Sequence, residues 1–317
     1  ETVGPSDFTG TLPGGYTAHP KRDPETGELH AVSYFWGWGD KVQYTVTGTD
    51  GRVRRVVDVP VGGPISVHDM SLTPSYAVIY DLPVVLSPKA VAEGASFPYR
   101  WSEDYESRVG LLPLEGSAED VVWCEVEPCY VFHPMNAFDE GDAVVVDVVR
   151  HPKMFATHLT GPDEGPPRLE RWRIDPGSRK VATEVVDDRP QEFPRVDERR
   201  VGRPHRFGYS VTLSEREAPG IDLGPALVKH DVLSRTSEVR RLGGPGSGAG
   251  EAVFVPSGEG AEEDDGYVLS LVYDAERDAS DLVVLHAQDF GGQPAATVHL
   301  PVRVPYGFHG NWLPDEA

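Results

Sequence analysis

Four of the 11 histidines stand apart by their context. His19 in YTAHPKRDP, His68 in ISVHDMSLT, His133 in YVFHPMNAF and His309 in YGFHGNW each end an apolar or aromatic run and precede a turn-forming residue. A neutral imidazole carries a lone pair suited to Zn, Cu, Fe or Ni. Four such donors without carboxylate or thiolate leave the ion its full charge and, if octahedral, two open positions, an arrangement that suits oxygen activation. For any single histidine the ordinary reading is a surface or satisfied core residue. His30, His151, His158, His205, His230, His286 and His299 sit in more polar surroundings and are assigned no site role, with His205 in GRPHRF the nearest to an exception.

Histidines this far apart need an architecture that brings them together. Gly (34) and Pro (29) punctuate the 317 residues, and the stretches between them are rich in Val, Tyr, Phe, Trp and Thr, which is strand composition. KVQYTVTG and RVRRVVDVPV flank Asp50-Gly51, RLERWRID and KVATEVVDD flank Pro176-Gly177-Ser178, and GYVLSLVYD and SDLVVLHAQ flank AERDA, which predicts three hairpins. Further strands are expected over 31–38, 76–80, 121–132, 143–149, 207–213, 226–233, 252–256 and 296–304, and a short helix or inserted loop over 90–108. Asp139-Glu140-Gly141-Asp142, Gly243 to Gly250 and Glu259 to Asp265 read as turns or surface loops. Many hairpins and little helix narrow the fold to a large barrel, a double sandwich or a propeller, and a propeller fits best because its inner strands converge on one axis. The chain is expected to form one such domain over 1–317.

Composition excludes other classes. A net charge of -22 and no basic stripe argue against nucleic acid as a partner. No apolar run is long enough to cross a bilayer as a helix, and the first residues lack a signal-peptide pattern. Cys124 and Cys129 match no disulfide framework, redox motif or zinc motif, which points to two reduced thiols and a cytoplasmic protein.

The words around these histidines resemble those of the carotenoid cleavage oxygenases, a family that includes the lignostilbene dioxygenases. TAHPKRDPETGELH, VHDMSLTPSYAVIYDLP, CYVFHPMNAFDEGDAVVVDVVRHP, QEFPRVDERRVGRPHRF, EAVFVPSGEGAEEDDGYVLSLVYD and VPYGFHGNW run in family order from residue 17 to 312. The resemblance implies a seven-bladed β-propeller with a non-haem Fe(II) on its axis, held by His19, His68, His133 and His309. It implies that Glu192 and Glu251 stand behind two of the histidines, accepting their other ring N–H. The family's third such Glu belongs to a segment upstream of the first His, so the ring is expected to be open in this chain. It also implies O2-dependent cleavage of a conjugated C=C bond, with no organic cofactor. Phe132, Phe138, Phe308 and Trp312, together with Phe207 and Tyr306, flank the metal words and are candidates for an apolar substrate tunnel.

Three functions are carried forward: cleavage of a carotenoid or apocarotenoid, cleavage of a stilbene, and a non-catalytic propeller that binds a partner on its face and holds no iron. Carotenoid-type substrates lead as the commoner family activity. An apolar patch at a tunnel mouth would mark peripheral membrane contact, yet no segment is amphipathic enough to name.

Overall fold

Short β-branched and aromatic runs broken by Gly, Pro and Asp turns give 23 strands and one α-helix in the computed structural model, which describes residues 4–159, 164–214, 223–305 and 307–314. The strands form five successive antiparallel sheets, the blades of a β-propeller. Blade 1 is β1 (Lys21–Arg22), β2 (Leu29–Ser33), β3 (Lys41–Thr47) and β4 (Val53–Pro60). Blade 2 is β5 (Ser71–Leu72), β6 (Tyr76–Asp81), β9 (Arg108–Pro113) and β10 (Val122–Glu125), interrupted by a ribbon of β7 (Val84–Leu86) and β8 (Tyr99–Trp101) joined through α1 (Pro88–Ala92). Blade 3 is β11 (Tyr130–Glu140), β12 (Ala143–His151), β13 (Arg168–Asp175) and β14 (Lys180–Asp187). Blade 4 is β15 (Gln191–Arg195), β16 (Phe207–Leu213), β17 (Leu223–Asp231) and β18 (Thr236–Arg241). Blade 5 is β19 (Gly248–Ala249), β20 (Val253–Pro256), β21 (Gly266–Asp274), β22 (Ala279–His286) and β23 (Ala296–His299). The resemblance implies seven blades, and the described residues hold these five.

In each blade the chain enters at one edge and meanders to the other. β11 packs against β5 on one side and β15 on the other, so the first strands of successive blades face one another. The three predicted hairpins form, closing at Thr47↔Val53, Asp175↔Lys180 and Asp274↔Ala279, with Gly51 at φ 76°. The first turn is Gly48 to Gly51, closed by the Gly51 N–H on the Gly48 carbonyl at 2.9 Å, and Gly51 supplies the left-handed residue that follows such a turn in a three-residue loop. Apolar side chains between neighbouring blades make the core, with Trp172, Tyr44, Tyr130 and Tyr209 among the largest fully buried groups.

Several boundaries differ from the sequence reading. The single strand expected over 121–132 divides between β10 and β11, two different blades, at Pro128, which has no N–H to donate to a ladder. The 31–38 strand stops at Ser33 and gives way to a 3-10 turn at Trp36–Trp38, where Gly39 takes φ 71°. The helix inside 90–108 is shorter and begins earlier, with Pro88 in its first turn and the Ser87 hydroxyl accepting from Ala90 N. The 296–304 strand ends at His299, ahead of Pro301.

The start of β15, which carries Glu192, is pinned by a buried polar network. Gln191 Oε1 accepts from Ser210 Oγ at 2.7 Å and from His230 Nε2 at 2.8 Å. An amide oxygen only accepts, so His230 is protonated on Nε2 and its Nδ1 takes the Ser237 hydroxyl proton at 2.8 Å. Burial lowers the His230 pKa to about 4, against a smaller upward pull from Asp187. The unfolded chain, with its histidine near 6.5, therefore takes up this proton first as pH falls. This contribution to stability is complete above about pH 6.5 and is lost as pH drops toward about 4. Equilibrium unfolding of His230→Gln across that window should show a shallower pH slope, by up to about 1.4 kcal/mol per pH unit. Parallel curves for variant and unaltered chain would show that His230 does not titrate on unfolding.

Candidate metal centre

Each site residue sits in or just before one of the strands that open a blade, or just after the last blade. His19 lies two residues before β1 and His68 three before β5; His133 is the fourth residue of β11, and His309 follows β23 in a segment without strand structure. Glu192 is the second residue of β15, and Glu251 lies two residues before β20. Two strands are irregular at these points. β11 slips register against β12 between Val131 and Pro134 and again between Pro134 and Asn136, so His133 sits in a bulged stretch. β15 slips between Glu192 and Arg195, where Phe193 takes φ 53°. Bulges re-aim side chains, and a left-handed aromatic residue persists only where its surroundings enforce it.

The four histidines expected from sequence meet. Their nearest ligand atoms all lie within 4.8 Å of one another. Nε2 of His19 is 3.1 Å from Nε2 of His68, and the His133 ring centroid is 4.9 Å from those of His68 and His309. Glu192, fully buried, holds His133 Nδ1 at 2.7 Å on Oε2 and His151 Nε2 at 2.8 Å on Oε1. Glu251 holds His309 Nδ1 at 3.1 Å and the Gly310 N–H at 3.0 Å, and Arg195 donates to it at 2.6 Å. A carboxylate only accepts, so His133 and His309 each carry a proton on Nδ1, and in the neutral ring Nε2 keeps its lone pair. Among the described residues His68 has no carboxylate partner, and His19 Nδ1 is 3.9 Å from Asp69, a buried carboxylate that also takes Lys21 at 2.7 Å.

Protonation follows from burial. Desolvation, followed by the neighbouring imidazoles, lowers His19 to about 2 and His68 to about 3, so both rings are neutral at physiological pH. Burial also pulls His133 down, but contact with Glu192 outweighs it and the net direction is up. Burial raises Glu192, and its two histidine partners reverse this, leaving it well below the carboxylate range.

The donor set fits a metal ion. Nε2 of His133, 7% exposed as a side chain, is buried with no hydrogen-bond partner. Among the described residues no Lys or Arg bonds Glu192, so a buried negative charge faces the cluster through His133. Nitrogen ligands at right angles around one ion, each about 2.1 Å from it, stand about 3 Å apart, which matches the His19–His68 approach. Neutral imidazoles around an uncompensated carboxylate are a cation's environment.

The aromatic candidates divide. Phe132 stands edge-on to His68 at 5.1 Å. Phe308 and Trp312, 61% and 51% exposed, line an apolar cavity of about 530 Å³ with Leu269, Leu271 and Leu282 that reaches His309. Phe138 does not reach the imidazoles. It lies five residues beyond His133 along β11, roughly 17 Å at the usual strand rise, buried against His205 and Arg171. Phe207 packs under Arg206 and Lys229, away from the site, and Tyr306 lies outside the described residues. A second, polar cavity of about 400 Å³ opens on the cluster from the axis, lined by Lys21, Ser71, Asn136 and Arg195.

Two neighbours escaped the sequence reading. Phe193 stacks on His133 at 5.1 Å and meets His309 edge-on at 5.2 Å; its adjacency to Glu192 in QEFPRVD was the available signal. His151 stands in polar sequence context, yet it is fully buried on Glu192. His205, the doubtful exclusion, lies away from the cluster against Asp147 and Asn136.

The retinal pigment epithelial membrane protein family model matches residues 1–314. The carotenoid cleavage oxygenase of Mycobacterium tuberculosis is 44% identical over 359 residues, covering 99% of this chain and 71% of that protein. Carotenoid 9,10(9',10')-cleavage dioxygenase 1 of Phaseolus vulgaris is 31% identical over 336 residues, covering 100% of this chain and 61% of that protein. Among solved structures, the lignostilbene dioxygenase of Pseudomonas brassicacearum superposes with a TM-score of 0.91 at 29% identity, over 99% of this chain and 69% of that one. Cobalt-substituted apocarotenoid oxygenase of Synechocystis gives a TM-score of 0.85 at 28% identity, over 98% of this chain and 68% of that one. With a family match along nearly its whole length, and with its histidines and carboxylates gathered at the inner ends of the blades, the chain belongs to the carotenoid cleavage oxygenase family.

Proposed function

We propose that this chain is the metal-bearing part of a non-haem Fe(II) dioxygenase that cleaves a conjugated C=C bond of a carotenoid or apocarotenoid. The observation that carries the reading is the convergence of His19, His68, His133 and His309. Bound there, ferrous iron would supply the O2 chemistry that turns the double bond into two carbonyl groups. The chain's own residues do the rest. Glu192 and Glu251 hold the Nδ1 protons of His133 and His309, which fixes ring angle and leaves the inward nitrogens as ligands. Phe132 and Phe193 wall the cluster with apolar surface. The apolar cavity behind Phe308 and Trp312 meets the cluster at His309 and suits an extended apolar substrate.

The proposal includes one propeller domain over the whole chain, seven blades in the complete ring, and a reducing, cytoplasmic setting, which the two buried free thiols support. A stilbene substrate is the second reading, favoured by the higher TM-score to the lignostilbene enzyme. No helix among the described residues is long and apolar enough to cross a membrane.

Anaerobic Fe(II) loading followed by metal analysis should find about one iron per unaltered chain and little in His133→Ala or His309→Ala. A chain that takes up no iron, or variants that keep as much as the unaltered chain, would overturn the reading. Glu192→Gln keeps the volume and removes the charge, and is expected to lower metal affinity or turnover by about 10- to 100-fold. Aldehyde release from an apocarotenoid and not from a stilbene would favour the first substrate class; the reverse result would favour the second.

A further inference from the structure

Glu192 has two oxygens and both are committed. Oε2 takes the His133 Nδ1–H and the Phe193 backbone N–H, at 2.7 and 2.5 Å, and Oε1 takes the His151 Nε2–H at 2.8 Å. His151 ends β12 directly across from Tyr130, so the blade that supplies the ligand His133 also supplies this second donor. The His151 ring is fully buried, edge-on to Phe132 at 5.2 Å, and its Nδ1 has no hydrogen-bond partner among the described residues. Its one polar contact is therefore Glu192. A phenyl ring would fill the same space without burying an unsatisfied nitrogen, so packing alone does not account for an imidazole here.

We infer that His151 is a positioning residue for the metal centre: it clamps the free oxygen of Glu192, and through that carboxylate fixes the angle and donor strength of the His133 ligand. The inference rests on the metal-site reading above. A carboxylate held at one oxygen alone is freer to turn about its terminal bond and carry its partner's ring with it than one held at both oxygens. The same donor also shares the charge of a carboxylate that, among the described residues, has no Lys or Arg on it, so it limits how strongly Glu192 draws on the His133 proton. His133, His151 and Glu192 thus form one unit, in which two histidines of blade 3 hold one carboxylate of blade 4.

Co(II) serves as the probe, with affinity and the visible absorption of the bound ion as readouts and the whole chain as the protein. His151→Leu should weaken Co(II) binding by about 10-fold and shift the absorption band. His151→Gln, whose terminal amide reaches Oε1, should return affinity to within about threefold, while His151→Asn, one methylene shorter, should not. In a Glu192→Gln background, His151→Leu should cost less than about twofold more, because the residue acts through the carboxylate. Unchanged Co(II) affinity in His151→Leu, equal behaviour of the Gln and Asn variants, or losses that multiply in the double variant would each overturn the inference. The Gln and Asn pair decides the matter if the Leu variant does not fold. An unaltered chain that binds no Co(II) would place the failure in the metal-site reading itself, and this inference would fall with it.

Discussion

Four nitrogen lone pairs held within 4.8 Å of one another are an unfavourable arrangement, and most of what surrounds them serves to maintain it. Uncharged rings repel less than imidazolium ions, and burial keeps His19 and His68 neutral. The remaining proton on each ring must point away from the centre. On His133 and His309 a buried carboxylate receives it, and each carboxylate needs its own stabilisation. Glu251 has Arg195 and the Gly310 N–H, while Glu192 has His151 and the Phe193 N–H. Tautomer, ring angle and net charge are thus decided one layer behind the ligands, and the layer is built so that a cation between the rings removes both the repulsion and the excess negative charge.

The backbone carries this demand as local irregularity. A regular strand alternates its side chains between two faces and cannot aim consecutive residues at one point on the axis. β11 has two register slips around His133, and β15 has one at Phe193, whose positive φ turns an aromatic ring onto His133. Left-handed backbone at a residue other than Gly costs of order 1–3 kcal/mol and survives where the neighbours over-determine it. Here Pro194 follows, Gln191 precedes in its network with Ser210 and His230, and both rings of the His133–Phe193 stack are buried. The slips around His133 and Phe193 lie in the inner strands, while behind them β12 pairs with β13, and β17 with β18, without a register slip.

Much of this was legible in the sequence for a definite reason. Strand termini are punctuated by Gly, Pro and Asp, so the hairpins around Asp50-Gly51 and Pro176-Gly177 could be placed, and the four histidines shared the feature of ending an apolar run. The division of 121–132 at Pro128 was missed because the residues on both sides are equally strand-like and only the Pro separates two blades. Phe138 packs against His205 and Arg171 because nearness in sequence to His133 is distance along a strand, not nearness in space. His151 was missed for the opposite reason. It is 18 residues further on in the chain, but antiparallel pairing returns β12 to face Tyr130, and only the register reveals the approach.

His309 differs from the other three histidines in what places it. His133 is placed by a sheet ladder, and His19 and His68 stand just ahead of the first strands of their blades. His309 has no ladder; ring contacts with Phe193 and the other imidazoles and a set of polar contacts hold it. Arg195 donates to Glu251, to Glu198 and to the Gly310 carbonyl, and Glu251 binds both the His309 ring and the Gly310 N–H. This histidine is also the most exposed of the four, 34% as a side chain, and it stands where the polar cavity and the apolar cavity meet. A segment held by a few polar contacts opens at lower free energy than one held by a buried ladder, so His309 is the least firmly placed of the four histidines. Its ring and the Gly310 backbone are joined to β15 through one carboxylate, Glu251, and one guanidinium, Arg195.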